Sequence, residues 1–556
     1  DEDSNKYFRD SENLTDVMTN NYPSFNVEKI YLDAYQQKST ANGARYPDAK
    51  RAVNRRIEEG NLIMNYMGHG GELGLAHERV LQLEDVKEWE NYNKLPLIMT
   101  ATCEFSRFDD PQRTSLGEKI FFKPDGGAIG LLSTTRLVFA GSNFRLTKDF
   151  IKDNLFEKEN GDHKTLGEIL KDGKNQYNQR NEDAGNALKF ALIGDPALTL
   201  AYPQENIQTT KVTDHNESQK DTLGALGKYT VHGEVVNDNG QLLKDFNGIV
   251  HPTIFDKPVE LTTLGNDQGS FRKKFESLQN VIFKGRASIE NGKFKFTFVT
   301  PKDIAYQKDF GKISYYGDNG KIDANGASDV VIGGTAEDPI QDDQPPEVDV
   351  YMNDTTFNFG GTTGEEPLLI AKVYDENGLN IVSGSIGHEP SLLMNDGEPI
   401  LLNDAYEAGL DNYKKGTIKY QLKDLPEGRH RAKVKVWDVV NNSGKGFTEF
   451  IVANSNKLVI DKLLNYPNPF QDQTKFKFEH NWEGQSLNAK IEIVNPNGTH
   501  VRTLNRSVSS ENNEITWSGR NRNHNKLKGG IYIYRLTLTT DGGKVARKSN
   551  KLVILK

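Results

Sequence analysis

Cysteine is almost absent from this chain: Cys103 is the only one in 556 residues. An intrachain disulfide is therefore excluded, and the redox compartment cannot be read from pairing. Long apolar runs are missing as well. No stretch reaches the roughly 18 apolar residues that a membrane-spanning helix needs. The apolar segments are short and interrupted, as at Ala128-Ile129-Gly130-Leu131-Leu132. Basic excess is missing, with a formal net charge of -9, so the electrostatic footprint of a nucleic-acid partner is lacking. The chain has no P-loop, no G-x-G-x-x-G and no H-E-x-x-H. Nucleotide binding by those motifs and zinc hydrolysis are thereby disfavoured, even though His77 lies shortly after His69. The first residue is Asp1 and no signal-peptide pattern follows it, so the chain reads as a mature product or a fragment opening on a loop.

What is present has a two-part character. The length predicts three to five domains at about 100–200 residues each. Residues 1–203 alternate between helix and short apolar strand. A polar helix is expected over 46–59, with Pro47 near its start and Gly60 after its end. Apolar strands are expected at 62–67, 97–102 and 127–133, and helices at 86–91, 116–122, 144–154 and 165–178. Short buried strands alternating with helices predict a parallel sheet covered on both faces. After Pro203 a polar stretch, 204–221, reads as a linker. The pattern then becomes β, with period-two alternation at Lys293-Phe294-Lys295-Phe296-Thr297-Phe298 and Asn-Gly turns at 239–240, 291–292 and 319–320. A second linker, acidic and Pro-containing, spans 336–346. We expect domains at 1–203, 204–338, 339–455 and 456–556, the last three being β-sandwiches.

Chemistry gathers at two strand ends. The first apolar strand runs into Gly68-His69-Gly70-Gly71, and the second into Thr100-Ala101-Thr102-Cys103. Parallel sheets collect their functional groups beyond the carboxyl ends of the strands. One crossover helix fits between the two strands, so His69 and Cys103 are expected on one edge. A thiol becomes an effective nucleophile when a base raises its thiolate fraction. An imidazole titrates in the range that lets it take and return that proton. Acyl transfer also needs N–H groups aimed at the developing oxyanion; the candidates are those of Gly70 and Cys103. Each motif alone also fits a bland reading, a loop histidine and a packed cysteine. Their joint placement favours a Cys/His peptidase site.

The joint pattern resembles the caspase, legumain and gingipain group of cysteine peptidases. Asn65-Tyr66-Met67-Gly68-His69-Gly70 and Gly194-Asp195-Pro196-Ala197-Leu198 are most similar to the gingipain branch. Thr102, directly before the nucleophile, departs mildly from the usual Ala. The resemblance covers 1–203 and implies a caspase/gingipain-like α/β catalytic segment without its first strands. In gingipains an acidic residue helps orient the histidine. Asp10, Glu12 and Asp16 are candidates by position alone, and the residue could equally precede Asp1.

The far end carries a second resemblance. Leu464-Asn465-Tyr466-Pro467-Asn468-Pro469-Phe470, Gly530-Ile531-Tyr532-Ile533-Tyr534-Arg535-Leu536 and Lys551-Leu552-Val553-Ile554-Leu555-Lys556 are similar to the C-terminal sorting domains of the type IX secretion system. Together the segments resemble the sortases of that system. What this implies is cleavage of sorting domains from secreted cargo through a Cys thioester. The cargo would pass to an amine on anionic lipopolysaccharide, at the cell surface, peripheral to the outer membrane. The last domain would dock an outer-membrane β-barrel shuttle protein. A secreted gingipain-like endopeptidase whose last domain is its own export signal is the first alternative, and an inactive adhesin or scaffold the second. No cofactor is required for this chemistry. Gingipains bind calcium, so the resemblance admits calcium here; the acidic loop Asp375-Glu376-Asn377-Gly378 otherwise reads as a solvated turn.

Overall fold

The computed structural model describes residues 3–41, 43–159, 161–180, 184–383, 387–453, 458–482, 487–508, 513–540 and 544–555. The expected end of the third unit near Asn454, the first two residues of the opening loop, and Lys556 lie outside them.

The catalytic segment is built on one sheet. Its strands are β1 (Ile63–Met67), β2 (Leu97–Ala101), β3 (Gly130–Thr134) and β4 (Phe190–Ile193), in the order β4-β3-β2-β1. β1, β2 and β3 are mutually parallel. β4 is antiparallel to β3, so the sheet is mixed where a parallel one was expected. An antiparallel edge strand on an otherwise parallel sheet is a common solution.

β2 is buried at every residue because both faces are covered. Leu97, Met99 and Ala101 join Leu132, Leu146 and Ile169 on one side. Ile98 joins Leu131, Trp89 and Ile120 on the other. Each such side chain contributes about 1.5–3 kcal/mol on burial, so the middle of the sheet is the rigid frame from which the strand-end loops emerge. The polar helix stands at Pro47–Glu59, with Pro47 at its first turn and Gly60 at φ 100° just after its end. A helix at Lys6–Asn21 was not anticipated. Its apolar residues are few, but Leu14 is buried and Tyr7, Val17 and Met18 pack on the core.

The expectation of a linker at 204–221 is corrected. Glu205–Asp214 is a strand. It pairs antiparallel with Lys228–Val236 and, through Glu205 and Asn206, parallel with Asp323–Thr335, inside a nine-stranded sheet. Its composition misleads because few of its side chains face inward, among them Ile207 and Val212. Between Thr335 and Glu347 the chain carries no strand. The third unit packs a four-stranded sheet and a five-stranded sheet around a core that includes Leu369, Val434 and Phe450. The last unit packs a three-stranded and a four-stranded sheet around Phe476, Trp517 and Tyr534. Its Pro-containing motif closes the sandwich: Phe470 is buried beside Trp517, its N–H donates to Val553 O at 3.0 Å, and its carbonyl accepts from Leu555 N at 2.8 Å.

Candidate active site

β1 and β2 run side by side in a register that sets Met67 opposite Ala101. His69 and Cys103 each follow two residues later. Neighbouring strands are about 4.8 Å apart, so both residues leave the same edge of the sheet from adjacent positions.

Glycine decides how closely the two loops approach. A Cβ at position 70 would lie 2.8 Å from Thr102 Oγ1 and 3.0 Å from Gly74 O. With any side chain at position 70 the Thr102 hydroxyl or the hairpin would have to shift, so Gly favours the close approach of the His69 loop to the residue preceding Cys103. From Gly70 the chain folds into a small hairpin, Gly70–Gly71 against Gly74–Leu75. His69 O accepts from Ala76 N at 2.9 Å and from the Tyr66 hydroxyl at 2.7 Å. In this register Gly70 faces Leu75 between two hydrogen-bonded pairs, so its N–H points away from the hairpin. The Cys103 N–H donates to nothing among the described residues.

The Cys103 loop is tied to the end of β3. Thr134 Oγ1 donates to Thr102 O, Glu104 N to Arg136 O at 3.3 Å, and Ser106 N to Thr134 O at 2.9 Å. Glu104, just after the thiol, adopts φ 52°, the left-handed region that non-Gly residues seldom occupy. Cys103 is half-buried, with Sγ 3.8 Å from Val138 O.

His69 is held on three sides. Its Nε2 lies 2.8 Å from Asp3 Oδ2. The Tyr7 ring meets it edge-on at 5.3 Å between centroids. The His77 ring stacks on it at 5.2 Å and 10°. Of the carboxylates among the described residues it is Asp3, and none of Asp10, Glu12 and Asp16, that bonds the imidazole. Glu12 instead pairs with Lys29 at 2.9 Å and accepts from the Tyr31 hydroxyl. Burial pushes the Asp10 carboxyl above its ordinary range. Asp3 was hidden in what reads as an opening loop, and Tyr7 in a polar helix without strong periodicity. His77 had one local signal, a Gly-rich turn that returns the chain toward His69.

No curated protein matches the chain significantly. Residues 465–542 match the family model of the FlgD Ig-like domain. Among solved structures, dimeric latent PorU from Porphyromonas gingivalis is 24% identical, over 94% of this chain and 47% of that one, with a TM-score of 0.31. The chain therefore spans about half the length of that relative. The Arg-specific cysteine proteinase gingipain R is 16% identical over 59% of this chain and 62% of its own, with a TM-score of 0.30. Residues 1–201 match the family model of peptidase family C25, and this segment accordingly belongs to that gingipain family of cysteine peptidases.

Proposed function

We propose that this protein is a surface cysteine peptidase of sortase type, which cleaves the sorting domain from secreted cargo and passes the cargo to an amine. The observation that carries the reading is the pairing of Met67 with Ala101, which brings His69 and Cys103 off one sheet edge. Cys103 Sγ, as thiolate, attacks the scissile carbonyl. The N–H groups of Gly70 and Cys103 receive the negative charge on oxygen. With Nε2 donating to Asp3, the free Nδ1 of His69 takes the thiol proton and returns it to the leaving amine. The sorting domain departs with a new N-terminus, and the cargo stays as a thioester on Cys103. An incoming amine, with His69 now accepting its proton, forms an amide and frees the thiol. Water would complete the same step as hydrolysis.

The sortase reading adds three partners: cargo bearing a C-terminal sorting domain, anionic lipopolysaccharide supplying the amine, and an outer-membrane β-barrel shuttle docking the last unit. It is supported by the sorting-type motifs of that unit, which lies beyond two β units from Cys103. Among the described residues no helix is long and apolar enough to cross a membrane, and peripheral attachment at the cell surface is part of the proposal. The test incubates the purified chain with a peptide spanning a cargo–sorting-domain junction and an amine acceptor, with products read by mass spectrometry. An amide-linked product supports the sortase. Hydrolysis alone at saturating amine supports an endopeptidase, and no cleavage at all overturns the peptidase reading.

A further inference from the structure

His69 and Cys103 both stand beyond the sheet. The ladder between β1 and β2 ends at Met67 and Ala101, and the two side chains sit on the loops that follow. A site on loops keeps its geometry only where neighbouring groups lock it. Each loop carries a carboxylate. Glu72 occupies the turn of the hairpin that follows His69, and Glu104 comes directly after Cys103. One guanidinium joins them: Arg107 Nη1 donates to Glu72 Oε1 at 2.9 Å and to Glu104 Oε1 at 3.3 Å.

Both ends of this bridge are anchored. The Glu72 side chain is only 11% exposed, and its carbonyl accepts from Leu116 N at 2.7 Å. Arg113 Nη1 stands 3.6 Å from its second oxygen. Glu104 is in the left-handed region, a conformation that persists in a non-Gly residue only where its surroundings enforce it. Arg107 supplies two of those restraints, since its backbone N–H donates to Glu104 O at 3.3 Å while its side chain takes the carboxylate. The turn pinned in this way carries the thiol and the Cys103 N–H. Without the guanidinium, two carboxylates would face each other between the loops, and like charges so placed push apart.

We propose that Arg107 is the positioning residue of this site, a clamp on both loops that sets the separation of His69 from Cys103. The inference rests on the Cys/His reading under the proposed function. Among the described residues Arg107 bonds neither His69 nor Cys103 and acts through Glu72 and Glu104. A lysine here would keep the charge on a flexible stem and lose the planar, pre-organised donor set.

The experiment pairs steady-state peptide hydrolysis by the full chain with alkylation by iodoacetamide, which reads Cys103 alone because no other cysteine is present. Arg107→Ala should lower kcat about tenfold to a hundredfold, the scale of a displacement of about 1 Å at a reacting centre, with KM little changed. It should also slow alkylation at neutral pH toward the rate of His69→Ala, because the imidazole then no longer activates the thiol. Arg107→Lys should recover part of both losses. The double variant Arg107→Ala with Glu72→Gln should be no worse than Arg107→Ala, since both changes cut the same bridge. Glu104→Gln weakens one limb and should show a smaller loss of the same kind; it decides the matter if Arg107→Ala fails to fold. The proposal is overturned if the folded variants keep the wild-type kcat and alkylation rate, if KM alone rises, which would make Arg107 a substrate contact, or if the losses at Arg107 and Glu72 multiply. Wild-type alkylation no faster than that of His69→Ala would overturn the Cys/His pairing itself, and the clamp with it.

Discussion

The second and last β units stand in opposite relations to the catalytic segment. The second grips it. A hairpin, Val259–Thr262 against Lys274–Ser277, carries a tip that encloses Asp33 with four hydrogen bonds at 2.8–3.0 Å. The same tip donates Phe271 N to the buried Asn5 at 2.8 Å, and Phe275 packs its ring on Phe8 and Tyr31. Lys312 Nζ adds a bond to Phe25 O at 3.0 Å. The last unit touches its neighbour instead. Its hydrogen bond to the rest of the chain, among the described residues, is Asn358 Nδ2 on Glu479 at 2.9 Å. The difference separates a β unit held tightly against the segment that bears His69 and Cys103 from one joined to the chain through its neighbour. The gripped stretch is the one that brings Asp3 and Tyr7 to His69, so under the proposed function the second unit bears on the chemistry through the N-terminal segment.

The proposed catalytic pair, Cys103 and His69, sets the largest expected effect. Cys103→Ala should remove acyl transfer, a loss of about a thousandfold or more, with the melting temperature of the chain nearly unchanged. His69→Ala should cost almost as much, and the double variant little more than either single one, because groups acting as one unit are strongly non-additive. Multiplicative losses would show that the two residues act separately. Steady-state peptide hydrolysis measures both.

Asp3→Asn comes next. It preserves shape and removes the charge that fixes the histidine. We expect a loss of about 10–100-fold in kcat, comparable to the removal of an orienting partner at other imidazoles, with KM little altered. An unchanged kcat would remove Asp3 from the site. Asp33→Ala then probes the grip of the second unit. It strands four donors, and buried donors without an acceptor cost about 1–3 kcal/mol each, partly recovered by water. We expect a net destabilisation of about 3 kcal/mol by denaturant unfolding, together with a severalfold fall in kcat. Lost stability with undiminished kcat would show that the hairpin holds the fold without serving the site.

How much of this was legible in the sequence depends on whether a feature is local. The strands ending in His69 and Cys103 could be read because each is a short apolar run with its chemistry at one end, and parallel pairing does the rest. Gly70 could be read as a place of close main-chain approach, because glycine has no Cβ. Asp3 could not, because its role depends on a hairpin about 260 residues further on. Glu205–Asp214 failed differently. A strand with few inward side chains has the composition of a linker, and only pairing on both sides reveals it.

The smallest effect expected is also the sharpest test of the contrast. Deleting 458–556 should leave peptide hydrolysis by the purified chain unchanged, since the proposed peptidase residues and everything seen to hold them lie before residue 318. The deletion exposes the surface around Asn358 and removes one hydrogen bond, a change worth about 1 kcal/mol and remote from His69. In the cell the same deletion should release the protein from the surface or block its export, because the proposed shuttle loses its docking unit. The two outcomes are independent. Full surface retention of an exported truncation would remove the docking role and leave the peptidase intact. Lost hydrolysis in a truncation that melts normally would place the last unit beside the second as part of the enzyme, and the contrast between them would collapse.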